Sequence, residues 1–154
     1  MTIHISLGLE NALLTTLGLG AVMNYGVIEI YSGTQPYAAE DPPTGDLLAY
    51  ITQNGDPFQV NSSEPGGGGL QLQMSSDGSG LRDVPGWRLK GVSEGQAGWW
   101  RWKWNSPDDN TGSISLPRID GAVGESLALR VLAITPQSDI LIESFLVQFS
   151  SCVE

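Results

Sequence analysis

The sequence predicts a mainly β fold: a β-sandwich of jelly-roll-like character with one short N-terminal helix. Short runs rich in Val, Ile, Thr and aromatic residues recur along the chain, separated by clusters of Gly, Pro, Asn, Asp and Ser. The composition agrees, with 20 Gly and only 16% charged residues, which favours turns over long helices. A chain of 154 residues is long enough to bury a real core. Residues 1–154 are therefore read as one domain.

Residues 6–18, SLGLENALLTTLG, read as a helix within an N-terminal arm covering 1–20. Ser6 is an N-cap candidate, and Glu10 suits the positive end of the helix dipole. Leu9, Leu13 and Leu17 recur at four-residue spacing and form an apolar face, and Gly18 and Gly20 end the helix. A face of this kind ordinarily packs on its own core. The sharper alternative is an arm that docks on a neighbour through Leu9 and Leu13.

Residues 25–31, YGVIEIY, read as a strand, followed by a long turn containing Pro36, Pro42 and Pro43. DLLAYIT (46–52) is the next strand. Residues 53–69 read as a flexible loop, because Gly66 to Gly69 run in series. LQLQM (70–74) alternates strictly, with Leu70, Leu72 and Met74 expected inward. GWRLKGV (86–92) and AGWWRWKW (97–104) are expected to pair across the intervening SEG turn. Residues 105–112 form a polar turn, and 113–119, 126–134 and 140–149 complete the set. About eight strands at short spacing are the signature of a sandwich or barrel.

The densest chemical signal is Trp99-Trp100-Arg101-Trp102-Lys103-Trp104. Strand alternation puts Trp100, Trp102 and Trp104 on one face and Trp99, Arg101 and Lys103 on the other. Trp87 lies upstream with Arg88 and Lys90, and no Lys or Arg precedes Arg82. At ~200 Å² per Trp and ~25 cal/mol per Å², covering three indoles is worth about 15 kcal/mol gross. The face of Trp100, Trp102 and Trp104 is therefore expected in the core. Trp99, Arg101 and Lys103 are expected outward, forming with Trp87 and Arg88 a candidate interface for a partner.

Other chemistries find little support. His4 is the sole histidine, in what reads as a frayed terminus, and a Ser-His-Asp triad would have to use it. Glu40-Asp41 and Asp108-Asp109 sit in turns with nothing to mark them as a glycosidase pair. Asp108, Asn110 and Gly112 resemble a calcium loop only loosely, with the glycine one place early and no closing Glu. Gly66 to Gly69 lack the following lysine of a phosphate-binding loop. Cys152 is the only cysteine, which excludes an internal disulfide and a Cys-based zinc site. No catalytic residue, cofactor or metal is expected. A net charge of −10, with acids and no bases through residue 81, argues against nucleic acid as a partner. No apolar run reaches the ~20 residues of a membrane-crossing helix, and the N-terminus lacks the basic region of an export signal, so synthesis in the cytoplasm is expected.

The order of short motifs carries a resemblance. Ile28-Glu29-Ile30-Tyr31-Ser32-Gly33-Thr34-Gln35-Pro36 is followed by Thr44-Gly45-Asp46-Leu47-Leu48-Ala49, then Ala97-Gly98-Trp99-Trp100-Arg101, then Ser144-Phe145-Leu146-Val147. This resembles a group of small proteins of tailed bacteriophages and prophages with I-Y-(S/T)-G-x-Q-P, T-G-x-L-L-A, A-G-W-x-R and S-F-x-V motifs. The resemblance spans roughly residues 7–52 and 95–149, and residues 53–94 depart from the pattern. It implies a virion structural protein with a β-sandwich fold, of the capsid cement or decoration type. Its implied partners are the major capsid protein, itself as a homotrimer, or both. A tail or baseplate component is the alternative within the virion. A carbohydrate-binding β-sandwich using Trp platforms is the alternative outside that resemblance, with a glycan as partner.

Overall fold

The computed structural model describes residues 3–15, 18–64, 66–74, 76, 80–124 and 126–148. Leu17 and Cys152, and the end of the last expected strand beyond residue 148, lie outside the described residues. The chain is mainly β, with two antiparallel sheets and little helix. In order its elements are β1 (His4–Ile5), α1 (Leu7–Thr15), α2 (Leu19–Met23), β2 (Val27–Ser32), β3 (Leu47–Gln53), β4 (Leu72–Met74), β5 (Gly80–Asp83), β6 (Trp87–Gly91), β7 (Gly95–Lys103), β8 (Arg118–Ala122), β9 (Ala133–Ile134), β10 (Asp139–Leu141) and β11 (Leu146–Gln148). The larger sheet runs β1-β8-β7-β2-β3-β6-β10, with β9 on the start of β7, and the smaller runs β11-β5-β4.

Alternation in β7 places Trp100 and Trp102 on the apolar side of the large sheet, beside Ile28 and Ile30 of β2 and Ile51 of β3. Phe145, just before β11, brings the small sheet onto this side. Its ring lies 5.0 Å from Trp87, 5.5 Å from Trp100 and 5.4 Å from Trp102, the last two edge-on. Edge-on contact sets the positive ring edge against the negative face, so one phenyl organises three indoles. Gly121, opposite Trp100 across the strand pair, leaves the space its indole fills.

The N-terminal region behaves as an integral part of this core. Ser6 Oγ accepts from Leu9 N–H at 3.2 Å, as expected of an N-cap, and also accepts from Arg118 N–H at 2.8 Å. Leu9 is fully buried and Leu13 packs against the core, so the helix caps its own domain. The expected helix is α1; α2 lies beyond the stretch expected to be helical, and Gly20, expected to end that helix, sits inside α2. His4 is not frayed: it pairs with Asp120 across β1 and β8.

Several strand expectations are corrected. β6 and β7 do not pair with each other; β6 lies between β3 and β10, and β7 between β2 and β8. The segment 92–94 instead crosses the end of β3, held by Val92 N–H and Ser93 N–H on Leu48 O at 2.8 and 3.2 Å. β5 was not foreseen, and Met74 is exposed where an inward side chain is expected. Only Arg118–Ala122 and Ala133–Ile134 are strand in the third and second last runs, and the final run divides into β10 and β11. The glycine series is not a free loop. Gly67, Gly68 and Gly69 are buried, Gln53 N–H reaches Gly68 O at 2.9 Å, and a Cβ on Gly69 would meet Tyr25 backbone. The glycines here permit close backbone approach.

Phe145→Ala is expected to destabilise the fold by roughly 3–5 kcal/mol, because it empties the space between three indoles. Urea unfolding followed by near-UV circular dichroism of the Trp bands checks this. Gly18→Ala, where a Cβ meets nothing, is expected to change stability by less than about 0.5 kcal/mol in the same experiment.

Candidate functional site

The second face of the large sheet is polar, and its order is set by strand register. Reading across the sheet through cross-strand partners gives His4, Asp120, Arg101, Glu29, Tyr50, Lys90 and Asp139. Carboxylate and cation alternate from Asp120 to Asp139, with Tyr50 between Glu29 and Lys90. Opposite charges facing each other across strands stabilise a sheet. A parallel row supplies Arg118, Lys103, Val27, Thr52 and Arg88.

Half of this face is covered by the chain's own loops. Arg101 makes two parallel bonds to Asp120, Nε to Oδ1 at 2.8 Å and Nη2 to Oδ2 at 2.7 Å, and Nη2 also donates to Asp41 O at 2.9 Å. Its guanidinium lies 5.5 Å from the centre of the Trp99 ring, a cation–π distance. Trp99 stacks on Tyr31 at 4.7 Å and donates through Nε1 to Thr44 O at 3.1 Å. Arg118 grips Asp108 in the same two-pronged way, at 2.8 and 2.6 Å. Lys103 Nζ contacts Glu29 at 2.8 Å and donates to Asp108 O at 3.0 Å. Glu29 Oε2 accepts from Tyr31 Oη–H at 2.8 Å and from Asn110 Nδ2 at 2.9 Å. The turns at 38–46 and 105–112 thus supply carbonyls and side chains to these buried charges, with Arg101 Nη1 and Asn110 Oδ1 left without a hydrogen-bond partner among the described residues.

The electrostatics follow from this packing. Burial alone would favour neutral Arg101, but its bonds to Asp120 and the Asp120 charge outweigh that, and its pKa is raised. Burial works against the Asp108 carboxylate too, yet the Arg118 bonds, the Asn110 backbone N–H and nearby cations hold its pKa below the ordinary value. Burial first, and then the charge and hydrogen bond of Glu29, push Tyr31 upward, so it stays a neutral donor. Burial and Glu29 likewise raise Tyr50.

The candidate interface is therefore placed differently from the expectation. Trp99 and Arg101 are 0% exposed and Lys103 is 7% exposed, so these side chains point into the cover and not outward. The physical reason is that two turns fold over their face and supply hydrogen bonds that solvent would otherwise provide. Trp87 is buried on the opposite, apolar side. Leu9 and Leu13 belong to the core. Arg88 alone of the candidates stays at the surface, ion-paired with Asp139 beside the 2.5 Å Lys90–Asp139 pair. Glu29 and Asp120, which help hold the site together, are not singled out by the sequence, and Asp108 is marked there only as part of a carboxylate pair and of a loose calcium-loop pattern. The available signal was a charge at mid-strand within apolar runs, VIEIY and RIDGA.

Where the cover ends, a cleft of about 610 Å³ opens on the same face. Its lining includes Glu29 and Lys103, Tyr50, Thr52 and Lys90 of the sheet, and Pro57 and Phe58 of the loop after β3. No group of His, Cys, Asp or Glu among the described residues is arranged to hold a metal ion. No helix among them is long and apolar enough to cross a membrane.

Arg101→Met is expected to cost about 3–5 kcal/mol, since it strands Asp120 without its partner. Arg88→Ala, at an exposed pair, is expected to cost less than about 1 kcal/mol. Chemical denaturation of both variants measures the contrast. Because Asp108 has a depressed folded pKa, its contribution is complete above the unfolded value of about 3.9 and is lost as pH falls through the lower folded value. Asp108→Asn is expected to lower stability at neutral pH and to flatten the stability curve over that acid range, read by denaturation at stepped pH. Comparison with family models, with curated proteins and with solved structures finds no match for this chain.

Proposed function

We propose that this chain is a structural protein of a tailed-bacteriophage virion, of the capsid cement type, which acts by surface contact and not by catalysis. The observation that carries the reading is where the motif residues of the resemblance lie. Tyr31, Gly33, Thr44, Gly45, Gly98, Trp99 and Arg101 meet at one corner. Tyr31 stacks on Trp99, Trp99 bonds to Thr44, and Cβ atoms on Gly98 and Gly45 would collide with the backbone of Gly33 and Ser32. These residues do architectural work in this chain, which supports reading the likeness as one of scaffold and leaves binding to the surface.

The charge distribution changes what that surface suits. Arg101, Lys103 and Arg118 are buried against Asp120, Glu29 and Asp108, and the pairs cancel. The whole net charge of −10 is thus carried by the rest of the chain, with Asp46, Glu94 and Asp109 among its exposed acids. The complementary partner is a basic surface, the reverse of what an outward basic window would require. Cement activity would place such a surface on the major capsid protein, with a homotrimer as the assembled form.

Two measurements test the reading. The chain is expected among the proteins of purified virions from the genome that encodes it, by mass spectrometry. It is also expected to co-sediment saturably with undecorated shells, more weakly as salt rises, and more weakly for Asp46→Asn combined with Glu94→Gln. Absence from virions together with no sedimentation on shells would show the reading to be wrong.

A further inference from the structure

We infer that the cleft over β2, β3, β6 and β7 is a binding site for a neutral saccharide, with Tyr50 as its stacking platform. The inference is independent of the virion reading, although Glu29 of the cleft is bonded to Tyr31 of the motif corner.

The cleft has the size of a small-molecule site, and its chemistry is two-sided. Tyr50, Phe58, Pro57 and Val27 give it apolar walls, while Glu29 and Lys103 place polar groups at one end. A pyranose ring has the same duality, with C–H groups on its faces and hydroxyls on its rim. Polarised C–H groups are attracted to the negative face of an aromatic ring. Tyr50 is 36% exposed, on a central strand whose backbone is fixed by two neighbours.

The polar end is pre-organised. Lys103 Nζ uses two donors, on Glu29 and on Asp108 O, and its ammonium carries a third. Glu29 is held by Lys103, Tyr31 and Asn110, so its position is set before any ligand arrives. Groups already locked by partners lose little entropy on binding. Hydroxyls, which both donate and accept, suit such a mixed pair.

Charge balance at the polar end selects against ionic ligands. Glu29 is paired with Lys103 and Asp108 with Arg118, while Asp56 and Lys90, the latter sharing Asp139 with Arg88, are the other charged groups of the lining. A charged ligand at the polar end would have to break one of its two pairs, whereas a neutral polyol adds to them. A peptide is disfavoured for a different reason. Extended peptides bind β-domains by adding to a sheet edge, and the strands under this cleft are interior, with neighbours on both sides. The lining contains no Trp, so Tyr50 takes the place of the Trp platforms expected for a glycan.

The test is a titration of the isotope-labelled full chain, followed by amide NMR shifts. The probes are neutral tri- to pentasaccharides of glucose, galactose, mannose and N-acetylglucosamine. Sialylated and sulfated oligosaccharides and a proline-rich peptide serve as comparators. The expected result is saturable shifts at Tyr50, Thr52 and residues 55–60 with at least one neutral probe, at dissociation constants of about 1 mM or tighter. Tyr50→Ala is expected to weaken binding about tenfold, and Tyr50→Phe to retain it. Phe58→Ala supplies a second variant if Tyr50→Ala does not fold. No saturable shift with any neutral probe overturns the inference. So do shifts that map elsewhere, preference for the charged probes or the peptide, or unchanged affinity in folded Tyr50→Ala and Phe58→Ala. None of these outcomes bears on whether the chain is found in virions.

Discussion

Strand β7 is buried on both faces, and the rest of the structure answers that constraint. One face carries indoles and can be covered by apolar side chains alone. The other carries Arg101 and Lys103, whose charges cannot be taken from water without partners. Every neighbour of β7 on that side supplies one: Asp120 from β8, Glu29 from β2, and the backbone carbonyls of Asp41 and Asp108 from two turns. The turns are ordered because buried cations require their oxygens, and the cations are held charged because the turns and carboxylates are there.

This reciprocity explains how a β-domain so poor in charge can devote several of its few cations to its interior. A buried pair of this kind contributes little net stability compared with well-packed apolar residues, yet removing one partner is severe. Its value here is in register. A one-residue slip of β7 would turn Arg101 and Lys103 into the indole-lined core and lift Trp100 and Trp102 toward Asp120 and Glu29. Strand β7 therefore has a single acceptable pairing with β2 and β8, and the alternating row from Asp120 to Asp139 follows from it.

The same economy shapes the outside of the molecule. Since half of the polar face is sealed by loops, only β3, β6 and β10 present it to solvent, through Tyr50, Lys90, Arg88 and Asp139. The cleft lies at that boundary, where a rigid ion-paired floor meets an exposed aromatic ring. Rigid support beneath an exposed recognition surface is the arrangement that binding sites favour. Interior cancellation of charge also leaves the exterior strongly acidic, which sets the sign of any electrostatic partner.

The sequence by itself determined the mainly β class, the central strands around Ile28, Ile51 and Trp100, the N-cap at Ser6 and the inward face of Trp100 and Trp102. These follow from period-two alternation and local capping, which depend only on neighbours along the chain. Strand order, the crossover at 92–94 and the packing of the glycine series were decided by tertiary structure, because each depends on which segments meet in space. The destination of Trp99, Arg101 and Lys103 belongs to the same class. Alternation put them opposite the core, and an ordinary sheet would expose them to solvent. Only the folding of residues 38–46 and 105–112 over that face, drawn there by unsatisfied cations, turned an apparent docking surface into a second, charged interior.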